Sequence, residues 1–90
     1  MKADYVVCVD NEQVVIERSS KNMTDNVVDQ LIARRKILKM TQQDIANATG
    51  IKRANIARIE LKKTEASLDS LIRIAGAMGM ILNITLDEKE

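Results

Sequence analysis

Two arginines five positions apart, Arg53 and Arg58, carry the most specific chemistry this sequence offers. A guanidinium is a rigid fork of donors that pairs two-pronged with a phosphate or with the edge of a guanine. Within Ile51 to Glu60 (IKRANIARIE), a rotation of about 100° per residue sends Ile56 and Ile59 to one side and Arg53, Ala54, Ala57 and Arg58 to the other. The outward face is two arginines around two alanines. Alanine permits close approach to a groove and can touch a thymine methyl, so Arg53, Ala54 and Arg58 are the candidates for reading base edges. Lys52 and Asn55 flank that face, and with Gln42, Gln43, Lys62 and Lys63 they are the candidates for phosphate or outer-base contacts. A merely solvated basic helix has the same composition. The residues around it decide between the two.

Those residues supply a scaffold. Thr41 can accept a free backbone N–H as an N-cap, and Asp44 three positions later completes a capping box at the positive end of the helix dipole. A helix is therefore expected from Gln42, with Ile45 inward and Ala46 small enough for a close helix crossing. Gly50 stands where the chain must turn sharply and a positive φ is useful. The resulting pattern, T-Q-x-x-I-A-x-x-x-G-I-x-x-x-x-I-x-x-I-E, resembles the Xre/Cro/cI class of helix-turn-helix proteins, the lambda-repressor-like fold. The resemblance covers about Val28 to Gly79 and rests on Arg35, Thr41, Gln42, Ile45, Ala46, Gly50, Ile51, Ile56, Ile59 and Glu60. It implies a phosphate or outer-base contact at Gln42, base contacts near Lys52, Arg53, Ala54 and Arg58, and a phosphate contact near Asn55. The chain departs from the family pattern after Glu60, where Leu61-Lys62-Lys63-Thr64-Glu65-Ala66 lacks the usual glycine and proline, and at Lys52, where a capping Ser or Thr is common.

Composition narrows the alternatives. Ninety residues fit one domain with a single modest core. Tyr5 is the only aromatic residue, so that core is aliphatic and no base-stacking platform exists. One cysteine and no histidine leave neither an internal disulfide nor a Cys/His zinc site, and Cys8 reads as a buried small hydrophobe. No apolar run approaches a membrane span and Asp4 interrupts any signal-like stretch, so the expected location is cytoplasmic. An enzyme is disfavoured, since paired carboxylates and phosphate-cradling glycine loops are missing. No cofactor or metal is expected.

The net charge of +1 hides an uneven distribution. Residues 1–33 hold three basic and six acidic side chains, residues 34–63 nine and two, and residues 64–90 two and five. The segments are thus −3, +7 and −3, with the motif in the basic one. That is the footprint of a phosphate-binding surface.

Along the chain, Tyr5–Val9 and Gln13–Glu17 are β-branched runs around Asp10-Asn11-Glu12, a β-hairpin signal, and Ser19–Asn22 is a polar connector. The first run is apolar on both faces and calls for cover on both. Thr24 or Asp25 caps a helix to about Lys39 with a stripe of Val28, Leu31, Ile32 and Leu38, while Ile37 points elsewhere and needs cover from the hairpin or a dimer mate. Arg35 interrupts that stripe. A buried guanidinium needs a partner, and Glu60 is the carboxylate that this geometry can bring to it. Leu61–Ala66 is a basic loop. Ser67 caps a last helix with Leu68, Leu71, Ile72, Ala75 and Met78 inward, Gly76 marking a close approach and Gly79 the end. Met80–Leu86 reads as a strand and Asp87–Glu90 as a frayed tail.

The expected fold is mainly α. A lambda-repressor-like helix-turn-helix bundle of four to five helices carries an N-terminal β-hairpin and a C-terminal strand, divided as 1–22 hairpin and connector, 23–79 DNA-binding domain, and 80–90 strand and tail. The expected function is a sequence-specific DNA-binding regulator, a repressor acting as a homodimer on double-stranded DNA. The alternative is an antitoxin. The ending IAGAMGMILNITL looks like that of HigA-type antitoxins, which neutralise a basic RNase toxin and repress their own operon.

Overall fold

The computed structural model describes residues 4–9, 12–17, 20–86 and 88. Strands β1 (Asp4–Val9) and β2 (Glu12–Glu17) precede four helices, α1 (Ser20–Ile37), α2 (Gln42–Thr49), α3 (Arg53–Glu60) and α4 (Leu68–Ala77), and strand β3 (Leu82–Leu86) follows them. The helical bundle expected from the sequence forms, with four helices. The turn at Asp10 and Asn11, the burial of the Cys8 side chain and the tail at 87, 89 and 90 lie outside the described residues.

The core is aliphatic throughout. Val27, Val28 and Leu31 of α1 meet Ile45 and Ala46 of α2, Ile56 and Ile59 of α3, and Leu71, Ile74 and Ala75 of α4, closed by Met78 and Met80. Ile45 and Ile56 are fully buried at 0% and 1% exposure, and each contributes about 1.5–3 kcal/mol of transfer free energy. No polar side chain is buried among the described residues.

Helix ends follow their caps. Thr41 Oγ1 accepts from Asp44 N at 3.0 Å while Thr41 N donates to Asp44 Oδ2 at 2.8 Å, so α2 starts at Gln42 with both bonds of the capping box made. Gly50 ends α2 at φ 78°, its N–H returned to Ala46 O. Three other ends share one device. Met40 N, Lys63 N and Met80 N each donate back to the carbonyl five residues earlier, with Lys39 (φ 57°), Lys62 (φ 60°) and Gly79 (φ 72°) left-handed between. Lys62 therefore holds the left-handed place where glycine is usual.

Four expectations about the helices are corrected. First, α1 begins at Ser20, not at Thr24 or Asp25, because Met23 packs against the core and rewards an extra turn upstream. Second, Leu38 lies past the end of α1 and is exposed, and Val27 takes its place in the stripe. Third, on α4 Ile74 faces inward while Leu68 and Ile72 face out. The inward set Leu71, Ile74, Ala75 and Met78 has ideal i, i+3, i+4, i+7 spacing. Fourth, Gly76 is exposed and nothing comes within 4 Å of the place a Cβ would occupy, so it marks no close approach. Ile37 is 71% exposed, so the hairpin does not cover it.

The strands form one antiparallel sheet in the order β2-β1-β3. β1 is central, with Val6 opposite Val15 on one side and Thr85 on the other. β3 starts at Leu82 rather than Met80, since Met80 is buried beneath the end of α4. α1 packs against both β1 and β2, which seats the sheet on the bundle.

Gly50 and Gly76 separate by sign. Gly50→Ala forces a Cβ into a left-handed residue and costs about 1–2 kcal/mol even though it meets no neighbour. Gly76→Ala has no such strain and stabilises by about 0.5–1 kcal/mol. Urea unfolding of both variants checks this, and shifts of the same sign would contradict it.

Candidate nucleic-acid interface

α3 is held by its inner face and offers its outer one. Ile56 and Ile59 are buried, while Arg53, Ala54, Asn55 and Arg58 are exposed and Ala57 is half-buried. Lys52 is the N-cap residue, extended at φ −62° and ψ 138°, and no side chain caps the helix. The turn before it is fixed by Thr49, whose Oγ1 donates to Ile45 O at 2.8 Å and accepts from Ile51 N at 3.1 Å. Arg53, Ala54 and Arg58 therefore share one exposed face of one short, anchored helix, and Asn55 stands exposed at its flank.

Behind that face runs a chain of polar contacts. Arg35 Nε donates to Glu60 Oε2 at 2.7 Å and Arg35 Nη2 to Glu60 Oε1 at 2.8 Å, a two-pronged ion pair with the side chains only 15% and 16% exposed. The third prong, Arg35 Nη1, donates to Met40 O at 3.0 Å, tying the α1–α2 turn to the pair. Gln42 Nε2 donates to Glu60 Oε1 at 3.0 Å, and Arg53 Nη1 donates to Gln42 Oε1 at 3.3 Å. Gln42, expected only as a contact residue, is thus also the bridge from the ion pair to an outward-facing arginine. Its signal in the sequence is weak, because a glutamine at a helix start has many possible partners.

The remaining candidates divide between two places. A groove of about 570 Å³ is lined by Arg35, Lys36, Lys39, Gln42, Gln43 and Arg53, together with Met40 and Thr41. Lys36 and Lys39 lie outside the sequence pattern that marks the motif. What could have found them is the basic run at the end of α1, since the turn to α2 delivers its last residues to the start of the motif. Gln43 Nε2 donates along its own helix to Asn47 Oδ1 at 2.9 Å. Lys62 and Lys63 line a different hollow, with Thr24, Asp25, Thr64 and Glu65. Lys62 Nζ stands 2.6 Å from Asp29 Oδ1, and the hydrogen bond to Asp29 raises its pKa above the ordinary lysine value. It is held toward the carboxylates of α1 and not toward the groove. Among the described residues no group of His, Cys, Asp and Glu could hold a metal ion, and no helix is long and apolar enough to cross a membrane.

The sequence has counterparts among known proteins. Residues 31–88 match a family model described as helix-turn-helix. A relative from Haemophilus influenzae, named an uncharacterized HTH-type transcriptional regulator, is 30% identical over 74 residues, which span 82% of this chain and 72% of the relative. No solved structure matches.

The ion pair is testable by itself. Glu60→Ala leaves a largely buried guanidinium without its carboxylate and lowers unfolding free energy by about 3 kcal/mol, the lower end of the range for buried pairs because some exposure remains. Arg35→Ala should cost a similar amount, and the double variant less than the sum of the two. A strictly additive cycle in urea would show that the pair contributes nothing.

Proposed function

The chain belongs to the helix-turn-helix family, and from that premise we propose that it is a sequence-specific DNA-binding transcriptional regulator that represses as a homodimer. The observation that carries the reading is the α3 face. Arg53, Ala54 and Arg58 stand exposed on one face of a helix whose other side is locked into the core. A helix of that width enters the major groove of B-form DNA, where guanine and thymine offer the acceptors and methyl groups that arginine and alanine suit.

Each part of the site has its task in this reading. Arg53 and Arg58 read base edges, and Ala54 leaves room for the approach. Lys52 and Asn55 border the groove, and Gln43, Lys36 and Lys39 meet phosphates from the basic hollow beside α2. Gln42 reaches the phosphate or outer base and steadies Arg53. Lys63 remains a candidate for phosphate, whereas Lys62 must first leave Asp29. An eight-residue recognition helix spans only a few base pairs. Two copies on half-sites about 34 Å apart give the length of site that selectivity needs. Occupying a promoter then represses it.

A second reading is that the chain is also an antitoxin, binding a basic RNase toxin and repressing a shared operon. Its support is the three-stranded sheet, which lies outside the DNA-reading elements, and the acidic flanks of the sequence. A basic RNase encoded alongside that co-purifies with this chain would favour it.

The test is a salt series with the duplex upstream of the chain's own gene against a scrambled duplex. Arg58→Ala should cost about 1–3 kcal/mol on the true site and relax one base position. Lys39→Ala should weaken both duplexes alike and flatten the log–log salt slope by about one. Equal, weak binding of all variants to both duplexes would overturn the reading.

A further inference from the structure

The two edges of the sheet are unlike. The order β2-β1-β3 leaves β2 and β3 each with one long side that no described strand occupies. An open edge is a row of backbone donors and acceptors ready to pair, and proteins blunt such rows with charge, proline or a bulge. β2, EQVVIE, begins and ends on glutamate, so antiparallel pairing with its own copy about its centre sets Glu12 against Glu17 twice. β3, LNITL, has no charge and no proline, and its register with β1 runs unbroken from Leu82 to Leu86 without a bulge. One edge is guarded and the other is open.

The β3 sequence also says what fits that edge. Reflected about Ile84, it places Leu82 opposite Leu86, Asn83 opposite Thr85, and Ile84 opposite itself. Apolar then meets apolar on one face, and amide meets hydroxyl on the other. A shift of one residue would set apolar positions against polar ones. The apolar face is also the one left incomplete. Ile84 is 39% and Leu86 72% exposed, and Leu82 and Ile84 border an apolar cleft of about 160 Å³ whose other walls include Met23, Val27, Leu68 and Leu71. Opposed residues on paired strands stand about 5 Å apart, so Leu86 of a second copy arrives beside Leu82 at this cleft.

We propose that β3 pairs antiparallel with β3 of a second copy about a two-fold axis through Ile84, joining two three-stranded sheets into one of six strands. This rests on the homodimeric reading given above and supplies its interface. The contact is self-complementary, as a two-fold axis requires. It also closes the only cleft named above that helices and sheet line together, and it leaves the α3 face and the basic groove uncovered.

Position 84 is the register point that meets itself, which a cysteine can report. In a Cys8→Ala background, Ile84→Cys sets two thiols on residues with Cα atoms about 4.5–5.5 Å apart, within disulfide reach. Mild oxidation should convert the 10.1 kDa chain to a species of twice that mass on non-reducing electrophoresis. Thr85→Cys in the same background should stay at the single-chain mass, because its two copies are about 7–8 Å apart on the diagonal. Linking at neither position, or equally at both, overturns the proposal. Sedimentation of the unaltered chain separates the two levels. A dimer without the link at 84 moves the interface elsewhere and keeps the homodimeric reading, whereas a monomer at every concentration removes both. Should Ile84→Cys fail to fold, amide hydrogen exchange on the unaltered chain decides. The β3 amides not bonded to β1 should slow as protein concentration rises while those on the β2 edge do not, and exchange independent of concentration overturns the proposal.

Discussion

Arg35 sits in the last turn of α1 and Glu60 ends α3, and the two-pronged bond between them joins two helix ends inside a shell of aliphatic side chains. Aliphatic packing alone is tolerant. Isoleucines at the right volume would accept small rotations of one helix on another, whereas two parallel N–H···O bonds set both a distance and an angle. The pair also settles a local conflict. A carboxylate at the C-terminus of a helix faces the negative end of the dipole, and Glu60 is tolerated there because the guanidinium outweighs that repulsion. Further groups of the pair are then used. Met40 O takes the third arginine donor, and Gln42 binds the same carboxylate, so the pair positions the end of α1, the start of α2 and the end of α3 at once.

That arrangement extends to the surface. Arg53 is bonded to Gln42, Gln42 to Glu60 and Glu60 to Arg35, so an exposed guanidinium is restrained through two side chains by a largely buried one. A long side chain restrained beforehand loses less entropy when it meets a ligand. The restraint is mild, at one 3.3 Å hydrogen bond, and leaves the guanidinium free to exchange partners.

Helix ends show a different compromise. Lys39 and Lys62 occupy left-handed positions that glycine would fill without strain, at about 1–2 kcal/mol each. In both places the residue is also a cation. Lys39 lines the basic groove, and Lys62 reaches back to Asp29 and fastens the α3–α4 loop to α1. The usual glycine after the motif glutamate would end α3 equally well and could not make the contact with Asp29. The absence of glycine there, visible in the sequence as a departure from the family pattern, is thus a substitution of a charge for conformational ease.

What the sequence determined by itself was local or periodic. The Thr41–Asp44 capping box, Gly50 and Gly79 at positive φ, the Ser67 cap and the inward pair Ile56 and Ile59 each depend on residues within a few positions of one another. The outward face of α3 followed from the same periodicity. The Arg35–Glu60 pair was legible for another reason: a cation in an apolar stripe has to find an anion, and few were in reach. The tertiary structure decided the rest. It extended α1 to Ser20 through the packing of Met23, chose Ile74 over Ile72 on α4, and turned Lys62 toward Asp29. It also brought Lys36 and Lys39 to the groove, made Gln42 a bridge and set β1 between β2 and β3. These outcomes compare partners far apart in the chain, and a helical period or a propensity is equally satisfied by either choice. Only the mutual orientation of the elements ranks them, because burial and hydrogen-bond distance are properties of pairs that the linear order does not contain.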